Sequence, residues 1–180
     1  MKTRRLIAAL LVCLGLLAGA PDAIAQWQEH TAEDGSFSFA MPEKPVFERK
    51  DGAQHGLPYE GLSYTATIRS GGYTFVFIAL RVRFHPDTKI AVSQELQANA
   101  DSFARRLKGK IVSQKEIKWA RPEGDTIPAM GVSTETSYGT FRQIYLVEGR
   151  NVYSLIAGPP RPENVAAMDR FFASLKIPKR

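Results

Sequence analysis

The hydrophobic pattern along the chain has two periods, which predict two kinds of element. Where apolar residues recur at every second position, the pattern predicts β-strands, because successive side chains of a strand point to opposite faces. The strands predicted in this way occupy residues 36–41, 46–50, 62–69, 73–84, 110–119, 129–137, 140–148 and 152–157. A turn is predicted at Asp51-Gly52 and a loop at residues 54–61, since both segments are rich in turn-forming residues.

The clearest hairpin joins the strands at residues 62–69 and 73–84 through Ser70-Gly71-Gly72. We expect it at the centre of the sheet. The second of these strands has apolar residues on both of its faces, Val76, Ile78, Leu80, Val82 and Phe84 on one, and Tyr73, Phe75, Phe77 and Ala79 on the other. Two apolar faces predict that the sheet is covered on both sides.

Two segments have the helical period of 3.6 residues. In residues 90–107 the predicted buried stripe consists of Val92, Leu96, Ala100, Phe103 and Leu107, and in a closing helix after Pro162 it consists of Val165, Met168, Phe172 and Leu175. Gly109 is predicted to cap the first helix. The order of elements predicts an α+β fold in which an antiparallel β-sheet lies between helices, as a three-layer α/β/α sandwich.

The N-terminus has the three parts of a signal peptide. A basic start precedes an apolar run at residues 6–20, and Ala23-Ile24-Ala25 is a suitable cleavage site. The apolar run of 15 residues is short compared with the roughly 20 that a membrane-spanning helix needs. We therefore predict a signal peptide at residues 1–25, a single domain at residues 26–180, export by the general secretory route to the periplasm or beyond, and no transmembrane segment after cleavage.

The composition of the mature chain excludes several kinds of site. Cys13 is the only cysteine and lies in the predicted leader, so disulfides, thiol nucleophiles and cysteine-ligated metals are excluded after cleavage. Val12, directly before it, is not the small residue that a lipoprotein signal requires. Without the leader, 21 basic and 17 acidic residues remain, a net charge of +4. Because no basic tract is interleaved with aromatic residues, we do not expect a nucleic-acid partner.

Three segments resemble PsbP-like domains. They are residues 35–42 (Gly-Ser-Phe-Ser-Phe-Ala-Met-Pro), residues 73–76 (Tyr-Thr-Phe-Val) and residues 171–177 (Phe-Phe-Ala-Ser-Leu-Lys-Ile). The family includes extrinsic photosystem II subunits, a Ran-binding nuclear import factor of yeast and exported bacterial proteins without an assigned activity. The resemblance implies an antiparallel sheet between helices and a role in binding or assembly rather than catalysis. It supplies no catalytic set for this chain.

Arg81 and Arg83 lie on one face of their strand, where further apolar residues would be expected. Two arginines about 7 Å apart along a strand suit a phosphate or a carboxylate. The alternative is that this strand end projects into water. Tyr59 and Trp119, in or near predicted loops, either frame a groove or cap the core.

His85-Pro86-Asp87 is the fragment closest to a metal site. Imidazole and carboxylate are ligands for zinc or manganese, but a site would also need His55 or Glu60. The alternative is that Asp87 or Thr88 caps the following helix. The sequence contains no nucleophile elbow and no phosphate-binding loop, and no cofactor is expected.

These observations favour a non-enzymatic envelope protein that binds a partner protein or an envelope component. The alternative is a small periplasmic hydrolase or metal-dependent enzyme that uses residues around His85. A third interpretation is attachment to anionic lipid or cell-wall polymer, to which the mild positive charge is suited.

Overall fold

Nine β-strands and two α-helices form the part of the chain that the computed structural model describes, which is residues 27–54, 56–70 and 72–179. The predicted signal peptide at residues 1–25 lies outside this part, and so does His55. The strands are β1 (Gln28–Thr31), β2 (Ser38–Met41), β3 (Val46–Gln54), β4 (Leu57–Ser70), β5 (Tyr73–Phe84), β6 (Lys110–Ala120), β7 (Thr126–Thr136), β8 (Gly139–Glu148) and β9 (Asn151–Gly158). The helices are α1 (Val92–Arg106) and α2 (Val165–Ala173), and a 3-10 turn at Pro162–Asn164 precedes α2.

Seven strands form one antiparallel sheet in the order β3-β4-β5-β9-β8-β7-β6, and β1 and β2 form a separate two-stranded sheet. The predicted hairpin between β4 and β5 is confirmed. It lies beside the centre of the sheet rather than at it, because β9 occupies the central position between β5 and β8. Seven of the eight residues of β9 are buried.

The sheet is covered on both sides, so the predicted three-layer arrangement is confirmed. On one side α1 packs against β6, β7 and β8 through Leu96 and Ala100. On the other side, α2 and the β1–β2 hairpin cover the main core together. Phe77 of β5 contacts Phe171 of α2 there, with ring centroids 5.2 Å apart.

The two faces of β5 are buried to different extents. Phe75, Phe77 and Ala79, which face α2 and β2, are fully buried. On the α1 side, Val76, Ile78, Leu80 and Val82 are only half-buried. The reason is the position of α1, which packs across β6, β7 and β8. The predicted cover is therefore complete on one face of β5 and partial on the other.

The helix predictions hold for the centre of each helix and are less accurate at the ends. Leu96, Ala100, Met168 and Phe172 are buried as predicted. The first positions of both stripes, Val92 and Val165, are exposed, and Ala104 and Phe171 are buried in addition.

The left-handed residue at the end of α1 is Lys108, with φ of 50°, and not the predicted Gly109. Gly109 follows it and donates from its backbone N–H to the carbonyl of Ala104 at 2.8 Å, which closes a Schellman motif.

The predicted turn at Asp51-Gly52 and most of the loop at residues 54–61 are wrong, because β3 continues through Gln54 and β4 begins at Leu57. Gly52 and Gly61 are strand residues that permit close packing. A Cβ on Gly52 would lie 2.5 Å from the ring of Tyr59, and one on Gly61 would lie 2.7 Å from the carbonyl oxygen of Lys50. Glycine is therefore required at these positions because no Cβ fits there, whereas the sequence pattern had indicated turns.

We expect the substitution Gly61→Ala to destabilise the fold by about 1–3 kcal/mol, since the added methyl group meets a backbone oxygen that cannot turn away. The matched control is Gly131→Ala in β7, where the nearest atom is also a cross-strand lysine carbonyl oxygen, that of Lys115, but at 3.9 Å. Urea unfolding of both variants measures the difference. Equal stability of the two variants would contradict this explanation.

Candidate functional site

A shallow groove of about 450 Å³ lies at the end of the sheet where β5 ends. We call it the arginine groove, and it is lined by Arg49, Asp51, Gly52, Pro58, Tyr59, Glu60, Arg83, Phe84, His85, Pro86 and Arg150. Three of the candidate residues from the sequence, Tyr59, Arg83 and His85, therefore line the same groove.

Strand register brings these residues into one place. In the pairing of β4 with β5, Tyr59 stands opposite Phe84 and Glu60 stands opposite Arg83. The turn between β8 and β9 adds Arg150, whose Nη1 donates to the carbonyl of Phe84 at 3.3 Å. The backbone N–H of Phe84 donates in return to the carbonyl of Arg150 at 2.9 Å. This turn is thereby fixed to the end of β5.

Glu60 is the acidic centre of the groove. Its carboxylate accepts a hydrogen bond from Arg83 at 2.5 Å, and it lies 3.3 Å from Arg81 and 3.6 Å from Arg49. Partial burial raises the pKa of Glu60, but the hydrogen bond from Arg83 and the charges of Arg81 and Arg83 outweigh that effect. The net result is a pKa below the usual value of 4.5, so the side chain is ionised at neutral pH.

Arg81 is completely buried, which contradicts the expectation that this strand end projects into water. Its guanidinium lies 3.3 Å from Asp34 and 3.3 Å from Glu60. Asp34 belongs to the turn between β1 and β2, so the buried arginine joins that turn to the main sheet. Arg83, two residues further along β5, is 40% exposed and lines the groove. The two arginines therefore differ in role, although they share a strand face.

His85 lies directly after β5 in a local turn. Its Nδ1 accepts a hydrogen bond from the backbone N–H of Asp87 at 3.3 Å, and the N–H of Thr88 donates to the His85 carbonyl at 3.0 Å. The prediction that Asp87 or Thr88 caps the helix is wrong, because α1 begins at Val92 after Ala91 and has no side-chain cap. Among the described residues, no three His, Cys, Asp or Glu side chains are grouped so that they could hold a metal ion.

Trp119 lies far from the groove. It is on the edge strand β6 opposite Ile127, half-buried against the main core. Four strand spacings separate β6 from β5, which at about 4.8 Å each amounts to about 19 Å. Trp119 therefore packs at the edge of the core and does not line the groove.

Two groove residues, Arg49 and Arg150, were missed by the sequence analysis. Arg49 is on β3 opposite Leu62, and Arg150 is in the turn between β8 and β9. Neither belongs to a motif. Only strand order and register bring them beside Arg83, and the sequence pattern determines neither of these.

We expect Arg81→Met to cost about 3 kcal/mol of stability, the lower end for removing one partner of a buried ion pair, since Asp34 and Glu60 are each about a fifth exposed. The matched control is Arg83→Met, which removes a half-exposed partner of the same Glu60 and should cost less than about 1 kcal/mol. Urea unfolding at neutral pH measures both. A cost for Arg81→Met no larger than that of the control would show that the buried arginine is dispensable.

The lowered pKa of Glu60 predicts that the stability of the fold depends on pH in the acidic range. Because its pKa is lower in the folded chain, its stabilising contribution is complete above 4.5 and is lost as the pH falls from there towards the folded-state pKa. The variant Glu60→Gln lacks this titration. We therefore expect the difference in stability between the parent and Glu60→Gln to shrink across this acidic range in thermal melts. A constant difference would be inconsistent with this account.

The backbone is similar to the solution structure of cyanobacterial PsbP (CyanoP) from Synechocystis, with a TM-score of 0.54 and 7% sequence identity, over 89% of this chain and 98% of that one. Neither a protein-family profile nor a curated protein matches the sequence. Within residues 27–179, apart from the two undescribed positions, no helix is long and apolar enough to cross a membrane. The seven-stranded sheet, its two helical covers and this similarity establish that the chain has a PsbP-like fold.

Proposed function

We propose that this is an exported, non-enzymatic binding protein that holds an anionic group of a partner protein or envelope component in the arginine groove. The observation that carries the proposal is the convergence of Arg49, Arg83 and Arg150, from two strands and a turn, around one open groove. Export rests on the predicted signal peptide at residues 1–25. The compartment is then the periplasm or the exterior.

An anion suits this groove because its cations exceed its anions. Three arginines line it with two carboxylates, those of Asp51 and Glu60. Arg150 is exposed and forms no ion pair with any described residue. A guanidinium holds a carboxylate or phosphate through paired hydrogen bonds, which supply orientation as well as charge.

The groove is also held in a fixed shape. The ring of Tyr59 lies over Gly52 and meets Phe84 edge to face, with centroids 6.2 Å apart. The paired backbone hydrogen bond and the Arg150 side chain fix the β8–β9 turn against Phe84. A surface that is ordered before binding loses little entropy when the ligand arrives. These contacts support a role in recognition.

Charge reversal tests the proposal. We expect Arg83→Glu with Arg150→Glu to weaken capture of the partner from an envelope extract of the host at least tenfold, because charged hydrogen bonds are replaced by repulsion. The control is Arg105→Glu with Lys110→Glu, an equal change in net charge at exposed positions outside the groove. Quantitative crosslinking with the mature domain measures capture. Equal capture by the two double variants would refute the groove as the site.

Binding to phosphatidylglycerol vesicles tests whether anionic lipid is the envelope component that the groove holds. If lipid is the ligand, binding should fade as the salt concentration rises from about 50 to about 300 mM and should be lost in the same groove variant. Binding that ignores both salt and the groove substitutions would contradict electrostatic recognition at this site.

The double variant His85→Ala with Asp87→Ala separates the binding protein from the alternative enzyme. If the protein only binds, the affinity of this variant for the partner should stay within about twofold of that of the parent. The side chains of His85 and Asp87 contact each other at the rim, and neither is one of the arginines that would hold the anion. Native mass spectrometry and capture measure the result. Loss of a bound metal or of a hydrolytic turnover in the variant would favour the metal-dependent enzyme instead.

A further inference from the structure

A second cavity lies on the α1 side of the sheet, along the flank of that helix. Its volume is about 240 Å³, and it is open on one side. We call it the helix cleft. Its floor contains the apolar side chains Leu80, Val82, Phe84, Val152 and Ile156, and its helical wall consists of Phe103 and the polar residues Glu95, Asn99, Ser102 and Arg106.

The helix cleft exists because α1 does not extend over the whole sheet. The helix packs across β6, β7 and β8. Leu80 and Val82 of β5 therefore remain half-buried, although Ala79 and Arg81 on the opposite face of the strand are fully buried. A concave surface that has an apolar floor and polar side chains in its wall is a form that sites for small molecules take.

One polar group in the wall of the cleft is unsatisfied. Tyr145 on β8 is 2% exposed, and its hydroxyl has no hydrogen-bond partner among the described residues. Strand register places Tyr145 beside Ser154 of β9, and Ser154 beside Leu80 of β5, so that the three side chains share one face of the sheet. Buried hydroxyls are normally bonded, and exceptions are explained by strain, by a catalytic role or by a bound water, ion or ligand group.

The hydroxyl of Tyr145 acts as a donor. Burial raises the pKa of Tyr145 far above its usual value of 10.0, so the group stays protonated over the physiological range. A protonated phenol has one O–H to donate. An oxygen that accepts, such as a carbonyl, is complementary to this O–H donor.

We propose that the helix cleft binds a compact, mainly apolar molecule whose carbonyl oxygen accepts a hydrogen bond from Tyr145. The apolar body lies on Val82, Val152 and Ile156, and the carbonyl reaches the Tyr145–Ser154 pair. This site is separate from the anion site of the arginine groove. Tyr59 and Phe84 line both cavities, but Arg83 and Arg150 line only the groove.

Two small probes test the proposal. Acetophenone has an apolar ring and a carbonyl, and ethylbenzene has the same shape without the oxygen. We expect ligand-observed NMR with the mature domain to show tighter binding of acetophenone. Tyr145→Phe should reduce its affinity about five- to tenfold, the worth of one hydrogen bond. The affinity for ethylbenzene should not change.

The Tyr145→Phe variant should also melt at the same temperature as the parent or higher, because the substitution removes an unbonded buried hydroxyl and keeps the ring. Weaker binding in this variant is therefore not a folding defect. If acetophenone fails to bind up to its solubility limit, or binds equally to Tyr145→Phe, the proposal is wrong.

A bulky residue on the helix tests the location. Ser102→Trp fills the helix cleft from the flank of α1 and should abolish acetophenone binding. Ala98→Trp places the same bulk on the exposed side of the helix and should leave binding intact. The groove variant Arg83→Glu with Arg150→Glu should also bind acetophenone normally, so this site can fail or succeed independently of the proposed function. Binding that survives Ser102→Trp would place the probe elsewhere.

Discussion

The structure depends on the insertion of β9 between β5 and β8. Without this strand the sheet would be two separate ribbons, β3-β4-β5 and β8-β7-β6. The backbone hydrogen bonds on both sides of β9 join them, and almost every β9 side chain is buried as a result. Both cavities follow from this join. The β8–β9 turn supplies Arg150 to the arginine groove, and β9 supplies part of the floor of the helix cleft.

The buried Arg81 contributes little net stability but fixes the position of the β1–β2 hairpin. An ion pair of this kind adds little stability compared with apolar packing, but breaking it is expensive. Arg81 holds the turn of the β1–β2 hairpin through Asp34. The neighbouring Glu33 reinforces the attachment, since its N–H donates to the Tyr64 hydroxyl at 2.9 Å and its carboxylate pairs with Arg49. The hairpin is thus fixed beneath the arginine groove, and the same Glu60 that binds Arg81 orients Arg83.

The elements were predictable wherever a long, regular pattern was present. The β4–β5 hairpin, the strands of the second half and the centres of both helices follow from periodicity alone. The predictions at Gly52 and Gly61 were wrong because the sequence does not distinguish a glycine required for close packing from one required for a turn. The burial of Arg81 was not predicted because its partners, Asp34 and Glu60, lie in distant segments of the sequence. Of the candidate residues from the sequence, Tyr59, Arg83 and His85 line one groove. Trp119 lies far from it, since its position depends on strand order.

The order of the main sheet leaves β3 and β6 as its two open edges. Both edges carry alternating charges that face water, Glu48 and Lys50 on β3, and Lys115, Glu116 and Lys118 on β6. The register of β6 with β7 also shifts between Ile111 and Ser113, which interrupts the regular edge. Charged side chains and irregularities of this kind discourage another chain from adding a strand. The two open edges of the sheet therefore carry their own protection against edge-to-edge aggregation.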